Sequence, residues 1–174
     1  MDLRYPIGKF IPPVKCTPEE IKQWINTIEE LPGKLKKAVE GLTDAQLNTP
    51  YREGGWTLRQ VIHHLPDSHI NCYIRIKLAL TEDNPTIKPY MEERWAELND
   101  ARNGNIEMSL HLLEAIHRRM VVVMRDLSPQ ELERTFYHPE NKTTTPLKNV
   151  IALYSWHSNH HLAHITSLKD RMKW

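Results

Sequence analysis

Four long stretches of this chain repeat apolar residues at alternating three- and four-residue spacing, the period of a helix with one buried face. In the first, Ile21, Trp24, Ile25, Ile28, Leu31, Leu35, Val39 and Leu42 follow "TPEE" at 17–20. There Thr17 is the N-cap, Pro18 takes the first helical position and Glu20 closes a capping box. Pro32-Gly33 is expected to kink or briefly break this helix. The second stretch, 57–81, follows the turn "YREGGW" and the cap Thr57, and carries Leu58, Val61, Leu65, Cys72, Ile76 and Leu80. The third, 105–127, has Ile106, Leu110, Leu113, Ile116, Met120, Val123 and Leu127 on one face. The fourth opens at Thr145-Pro146 and reaches 172. "SPQE" at 128–131 is another capping box, opening a short helix that "FYHPENKT" ends. Strands are not expected, because no sustained alternation with a hairpin turn occurs. The spacing predicts an all-α four-helix bundle with a long connection at 82–104, helical in part at "MEERWAEL" and long enough for a crossover. Residues 1–16, with Pro6, Pro12 and Pro13, read as an extended segment.

A chain of 174 residues suits one domain, 1–174, with its own core. Lys+Arg 23 against Asp+Glu 22 gives a formal charge of +1, so there is no basic stripe for nucleic acid and no polybasic membrane anchor. No apolar run approaches the roughly 20 residues of a membrane span. "MDLRYPIGKFIPP" lacks a hydrophobic signal core, so a cytoplasmic location is expected. Cys16 and Cys72 are too few for a disulfide framework or a cysteine zinc site, and Cys72 reads as core packing.

Histidine is the unusual component: of ten, seven fall within 63–69 and 157–164. "WHSNHHLAH" at 156–164 contains two pairs with the i, i+4 spacing that sets both rings on one helix face, His157/His161 and His160/His164. The apolar seam of the last helix runs Leu147, Val150, Tyr154, then Leu168 and Met172, and its continuation lands on His157, His161 and His164. His160 falls to the side, so His157/His161 is the inward pair. Two rings at core positions need compensation for their desolvation, and a bound cation is one way to supply it. A third protein ligand is then required. "HHLPDSH" at 63–69 offers His63, His64, Asp67 and His69. Periodicity places His69 most inward, His64 on the flank and His63 outward, while Pro66 disturbs the count, so the third ligand stays open at this point. The competing reading is a hydrogen-bonded polar layer or a solvated face. HExxH, a Gly-rich phosphate loop and a GxSxG elbow are missing. One ExxH, Glu114 to His117, is too little for a di-iron bundle, which needs two with further glutamates.

"YPIGKF" at 5–10, "PYREGGWTLRQVIHHLPDSHINCYIR" at 50–75, "FYHPE" at 136–140 and "LYSWHSNHHLAHI" at 153–165 resemble the DinB/YfiT-like family, its YfiT branch in particular. These segments span nearly the whole chain. The resemblance implies an up-down-down-up bundle holding one divalent metal ion between its helices. It implies as ligands one histidine of the second helix and an HxxxH pair of the last, which are His64, His157 and His161 here. The last two coincide with the seam.

Three neutral imidazoles leave positions open, the composition of a catalytic zinc site. The resemblance implies a metal-dependent hydrolase that activates a bound water on a small-molecule substrate. Its alternative is a low-molecular-weight-thiol S-transferase with bacillithiol as co-substrate, in which the ion deprotonates the thiol. A non-enzymatic metal-binding bundle is the third reading, favoured if a fourth side chain closes the shell. Zinc is the first expectation and nickel the second, since imidazole suits both. Asp67, Asn71 and His160 are candidate neighbours of the ligands, with no general base assignable. Arg59 and Arg75 suit either an anionic substrate or a charged helix face. The family also implies a homodimer, for which Phe10 and Ile11 offer an apolar patch.

Overall fold

The computed structural model describes residues 2–174. Four long helices carry it: α1 (Pro18–Val39), α3 (Leu58–Thr81), α6 (Ile106–Arg125) and α8 (Leu147–Met172). Between them lie the short helices α2 (Asp44–Leu47), α4 (Glu92–Trp95), α5 (Asn99–Asn103) and α7 (Pro129–Leu132). Capping boxes open α1, α2, α3 and α7, each a Thr or Ser with a Glu or Gln three residues on. The α3 box, Thr57 with Gln60, goes beyond the simple cap expected at Thr57. Pro32 does not interrupt α1 and Pro66 does not interrupt α3. Tertiary burial on both sides of each proline outweighs the lost hydrogen bond, with Leu31, Leu35 and Leu65 all at or near zero exposure.

Contacts along the helices fix their directions. Lys148 and Ile21 line one surface recess, while Lys169 Nζ reaches the Ala38 carbonyl, so α1 and α8 run parallel. His63 meets Ser109 and His69 meets His117, so α3 and α6 are parallel too. Ser68 meets Tyr154 while His64 meets His157, which sets α3 against α8. The order is up-down-down-up. Parallel α3 and α6 oblige residues 82–105 to travel back along the bundle, roughly 30 Å for a helix the length of α6. That crossover includes α4 and α5. Gln60 holds it at the Ala96 carbonyl (2.8 Å) and Glu97 (3.0 Å), and Arg59 holds it at the Gly104 carbonyl (2.8 Å).

The hairpin β1 (Thr135–His138) with β2 (Thr143–Pro146) departs from the all-helical expectation. Each strand has four residues, too few to display an alternation, and the turn uses Lys142 at φ 53. Turns occupy residues 3–7 and a bend 14–15, and residues 8–13 between them contain neither turn nor helix. They fold back on α8, where the Trp156 indole donates to the Gly8 carbonyl and Phe10 packs on the Trp156 ring. Phe10 is thereby engaged within the chain, whereas Ile11 stays 84% exposed.

The core is split. One apolar cluster contains Ile28, Cys72, Ile76, Met120, Met124, Leu147 and Ile151; the other contains Leu31, Leu35, Leu58, Ile62, Leu65, Leu113 and Ile165. Each such side chain contributes about 1.5–3 kcal/mol on burial. Buried histidines of α3, α6 and α8 lie between the clusters. No helix among the described residues is long and apolar enough to cross a membrane.

Candidate metal centre

His64, His157 and His161 each present a ring nitrogen, and these nitrogens lie within 4.8 Å of one another. Antiparallel α3 and α8 bring them together, with His64 Nε2 3.3 Å from His157 Nε2. His157 and His161 follow one another by a single helical turn, their ring centroids 4.4 Å apart. Trp56 packs beside His64, centroids 4.8 Å apart. Burial disfavours the imidazolium at all three: His64 is pushed down to about 4, and His157 and His161 fall well below the usual histidine range, with neighbouring histidines adding to the effect. Neutral imidazoles converging on one point, with no carboxylate among them, suit a borderline divalent cation such as zinc. The residues fit the ion.

Pro66 leaves His64 in this group. The structure corrects one expectation about its neighbours. His63, read as outward, is buried, because the crossover lies over that face: its Nδ1 is 2.7 Å from Ser109 Oγ and its Nε2 3.2 Å from the Gly104 carbonyl. His160, beside the seam, is buried as well, with its ring centroid 5.0 Å from that of His161. The N-terminal segment covers it with Tyr5, and it stacks on Trp156. His69 is fully buried, as periodicity had it, but its Nε2 faces His157 Nδ1 at 3.1 Å and its Nδ1 faces His117 Nε2 at 2.7 Å.

Of the other candidates, Asp67 faces the crossover, its carboxyl raised to about 6 by burial and then by Asp100. Asn71 donates to the Asp67 carbonyl at 2.8 Å. Arg59 is structural, bonded to Asn48, Gly104 and Asp44. A second group, His160, His161 and His164, shares His161 with the first. In it His164 Nδ1 is 3.3 Å from His161 Nδ1, and His164 Nε2 is 3.2 Å from the Arg4 carbonyl.

Two clefts meet at His157. One of about 620 Å³ is lined by His64, His161, Trp56, Gln60, Glu92 and Glu93. The other, about 570 Å³, is lined by Arg75, Tyr90, His138, Tyr154 and again Glu92 and Glu93. Arg75 Nε, Tyr90 Oη and His138 Nδ1 in the second cleft are buried without a hydrogen-bond partner among the described residues. Ionisation of Glu92 is disfavoured by partial desolvation and by Glu93 beside it. Tyr90, Glu92, Glu93 and His138 carry no local signal of a site in the sequence, since only the path of the crossover and the hairpin brings them here; Trp56 arrives with the turn that opens α3. The "MEERWAEL" helix signal was visible, but its position over the histidines was not.

The DinB superfamily pattern matches residues 27–165. Bacillus subtilis (strain 168) has a relative, YfiT, 51% identical over 174 residues, which takes in 100% of this chain and 98% of that protein. A second, from Bacillus mycoides (strain KBAB4), is 54% identical over 173 residues, 99% of each chain. Both carry the provisional name of metal-dependent hydrolase. The solved structure of YfiT, described as having an unusual four-helix bundle topology, superposes with a TM-score of 0.98 over 100% of this chain and 99% of that one. A match of this extent in sequence and in fold, together with histidine groups able to hold a metal, places the chain in the DinB superfamily.

Proposed function

We propose that this protein is a metal-dependent hydrolase whose single divalent ion is held by His64, His157 and His161. The observation that carries the reading is the convergence of three neutral imidazoles, His64 and His161 buried and His157 half-buried, at the meeting point of two clefts. Zinc is the ion assigned first, and nickel satisfies the same donors. Such an ion supplies Lewis acidity, worth several kcal/mol of charge stabilisation at a reacting oxygen.

The chain's own residues supply the rest. Trp56 and the α8 backbone fix the rings, and the crossover walls both clefts. Glu92 and Glu93 stand where the clefts meet, and a carboxylate with raised proton affinity is suited to accept a proton from an attacking water. Arg75, Tyr90 and His138 offer unpaired groups to a polar substrate arm. The substrate is a small molecule with polar groups to meet these partners.

Metal analysis of the wild type and of His64→Ala, His157→Ala and His161→Ala, each checked for folding by circular dichroism, tests the ligand set. Full metal content in all three variants would refute it. The zinc-loaded protein is then assayed on ester and amide reporters with and without bacillithiol. Turnover in water alone supports hydrolysis; turnover only with the thiol replaces it with S-transfer.

A further inference from the structure

The histidines behind the ligands form two chains, each ending on a backbone carbonyl. From His157 Nδ1 the first passes to His69 Nε2 (3.1 Å), from His69 Nδ1 to His117 Nε2 (2.7 Å), and from His117 Nδ1 to the Ile28 carbonyl (2.6 Å). It crosses all four long helices: α8, α3, α6 and α1. The second passes from His161 Nδ1 to His164 Nδ1 (3.3 Å) and from His164 Nε2 to the Arg4 carbonyl (3.2 Å).

The Ile28 carbonyl is free for this because its helical partner would be the N–H of residue 32, and Pro32 has none. A carbonyl only accepts, and a neutral imidazole has one N–H and one lone pair. His117 must therefore carry its proton on Nδ1, which leaves Nε2 to accept from His69 Nδ1. His69 Nε2 then accepts from His157 Nδ1, so the lone pair of His157 sits on Nε2. The same logic from Arg4 places a proton on His164 Nε2 and on His161 Nδ1, and the lone pair of His161 on Nε2. Reversing either chain sets a lone pair against a carbonyl oxygen.

We propose that His69 and His117, with Pro32 freeing the Ile28 carbonyl, and separately His164, are positioning residues that hold His157 and His161 in the one tautomer able to bind a cation through Nε2. This rests on the ligand set proposed above. It also gives the second histidine group a role without a second ion, because His164 Nδ1 is committed to His161. Outer-shell partners of ligating histidines orient the ring and raise its basicity, and their loss typically lowers metal affinity about 10–100-fold.

The first measurement needs no variant. In the 15N-labelled metal-free protein at neutral pH, long-range proton–nitrogen correlations should show His69, His117, His157 and His161 protonated at Nδ1 and His164 at Nε2. His157 or His161 protonated at Nε2, or averaging between tautomers, would overturn the proposal. The second is zinc affinity by chelator competition in His117→Leu and His117→Gln. Leucine fills the core without the hydrogen bonds, and affinity should fall about 10–100-fold. Glutamine can donate to Ile28 and accept from His69, and should restore it to within about threefold of wild type. Equal affinity for wild type and leucine, or equal losses in both variants, would sink the idea. Zinc binding unchanged in His157→Ala would instead refute the ligand set itself, so the two failures are distinguishable.

Discussion

The same chemical change, glycine to alanine, should have opposite effects at two positions. At Gly104, where the crossover enters α6, an added Cβ would lie 2.2 Å from the Asp100 carbonyl oxygen and 3.3 Å from His63 Cε1. The first of these is backbone and cannot swing aside, so the turn must open. Overpacking of this kind costs about 1–3 kcal/mol. Opening the turn also withdraws the Gly104 carbonyl from Arg59 and His63, and loss of a charge-assisted hydrogen bond costs about 1.5–3 kcal/mol. Together these give about 2.5–6 kcal/mol, or a Tm lower by roughly 5–24 °C at about 2–4 °C per kcal/mol for a domain this size. At Gly33, inside α1, the added Cβ meets nothing within 4 Å. There alanine removes the conformational entropy penalty of glycine and should stabilise by about 0.5–1 kcal/mol. Urea titrations of Gly104→Ala, Gly33→Ala and wild type, followed by circular dichroism at equal m-value, measure both. If the two variants shift in the same direction, or Gly104→Ala costs under about 1 kcal/mol, the account of how the crossover is seated is wrong.

Three further outcomes can be checked. Zinc at 100-fold above its Kd should stabilise the wild type by about 2.7 kcal/mol, a rise of about 5–11 °C by scanning calorimetry, and should leave His157→Ala unmoved. The metal-free protein should lose stability as pH falls from 6.5 toward 4, because His64, His117, His160 and His164 are held down at about 4 by burial. The unfolded chain takes up protons there that the native rings refuse, adding up to about 1.4 kcal/mol per pH unit for each ring. Asp67, raised to about 6, works the other way, its share of stability being lost as pH rises through that value. A urea midpoint that stays flat from pH 7 to 5 would contradict the histidine burial. Finally, Arg75→Leu should raise KM for an anionic substrate about tenfold, roughly 1.4 kcal/mol, with zinc content unchanged; an unaltered KM removes Arg75 from the binding cleft.

The helices were legible because their cause is local: caps such as Thr17 and Ser128, and apolar spacing such as Ile21 to Val39, sit within a few residues of what they determine. His157 and His161 could be picked out for the same reason, as members of one helical seam. His64 could not, because its partner ring lies 93 residues away and α3 is buried over nearly its whole first half. When α2, α8 and the crossover all cover a helix, apolar periodicity no longer tells one face from another, which is why His63 read as outward. The hairpin escaped because four-residue strands carry almost no pattern. His117 was visible only as half of an ExxH motif, and the neighbour that gives it a role, His69, comes from another helix.

The parallel run of α3 and α6 has a consequence for how such proteins diverge. Every ring of the proposed centre stands on a long helix, whereas Tyr90, Glu92 and Glu93 belong to the strap that the topology forces across the bundle. The strap is fastened by Gln60 and Arg59 and, at Pro85 and Ile87, by Tyr137 of β1, and within 88–98 only Ala96 is buried. Substitutions there can remould what the clefts admit while the scaffold and its donors stay intact. If the proposed site is the active site, exchanging the 88–98 segment between relatives should change substrate preference and leave zinc affinity unaltered.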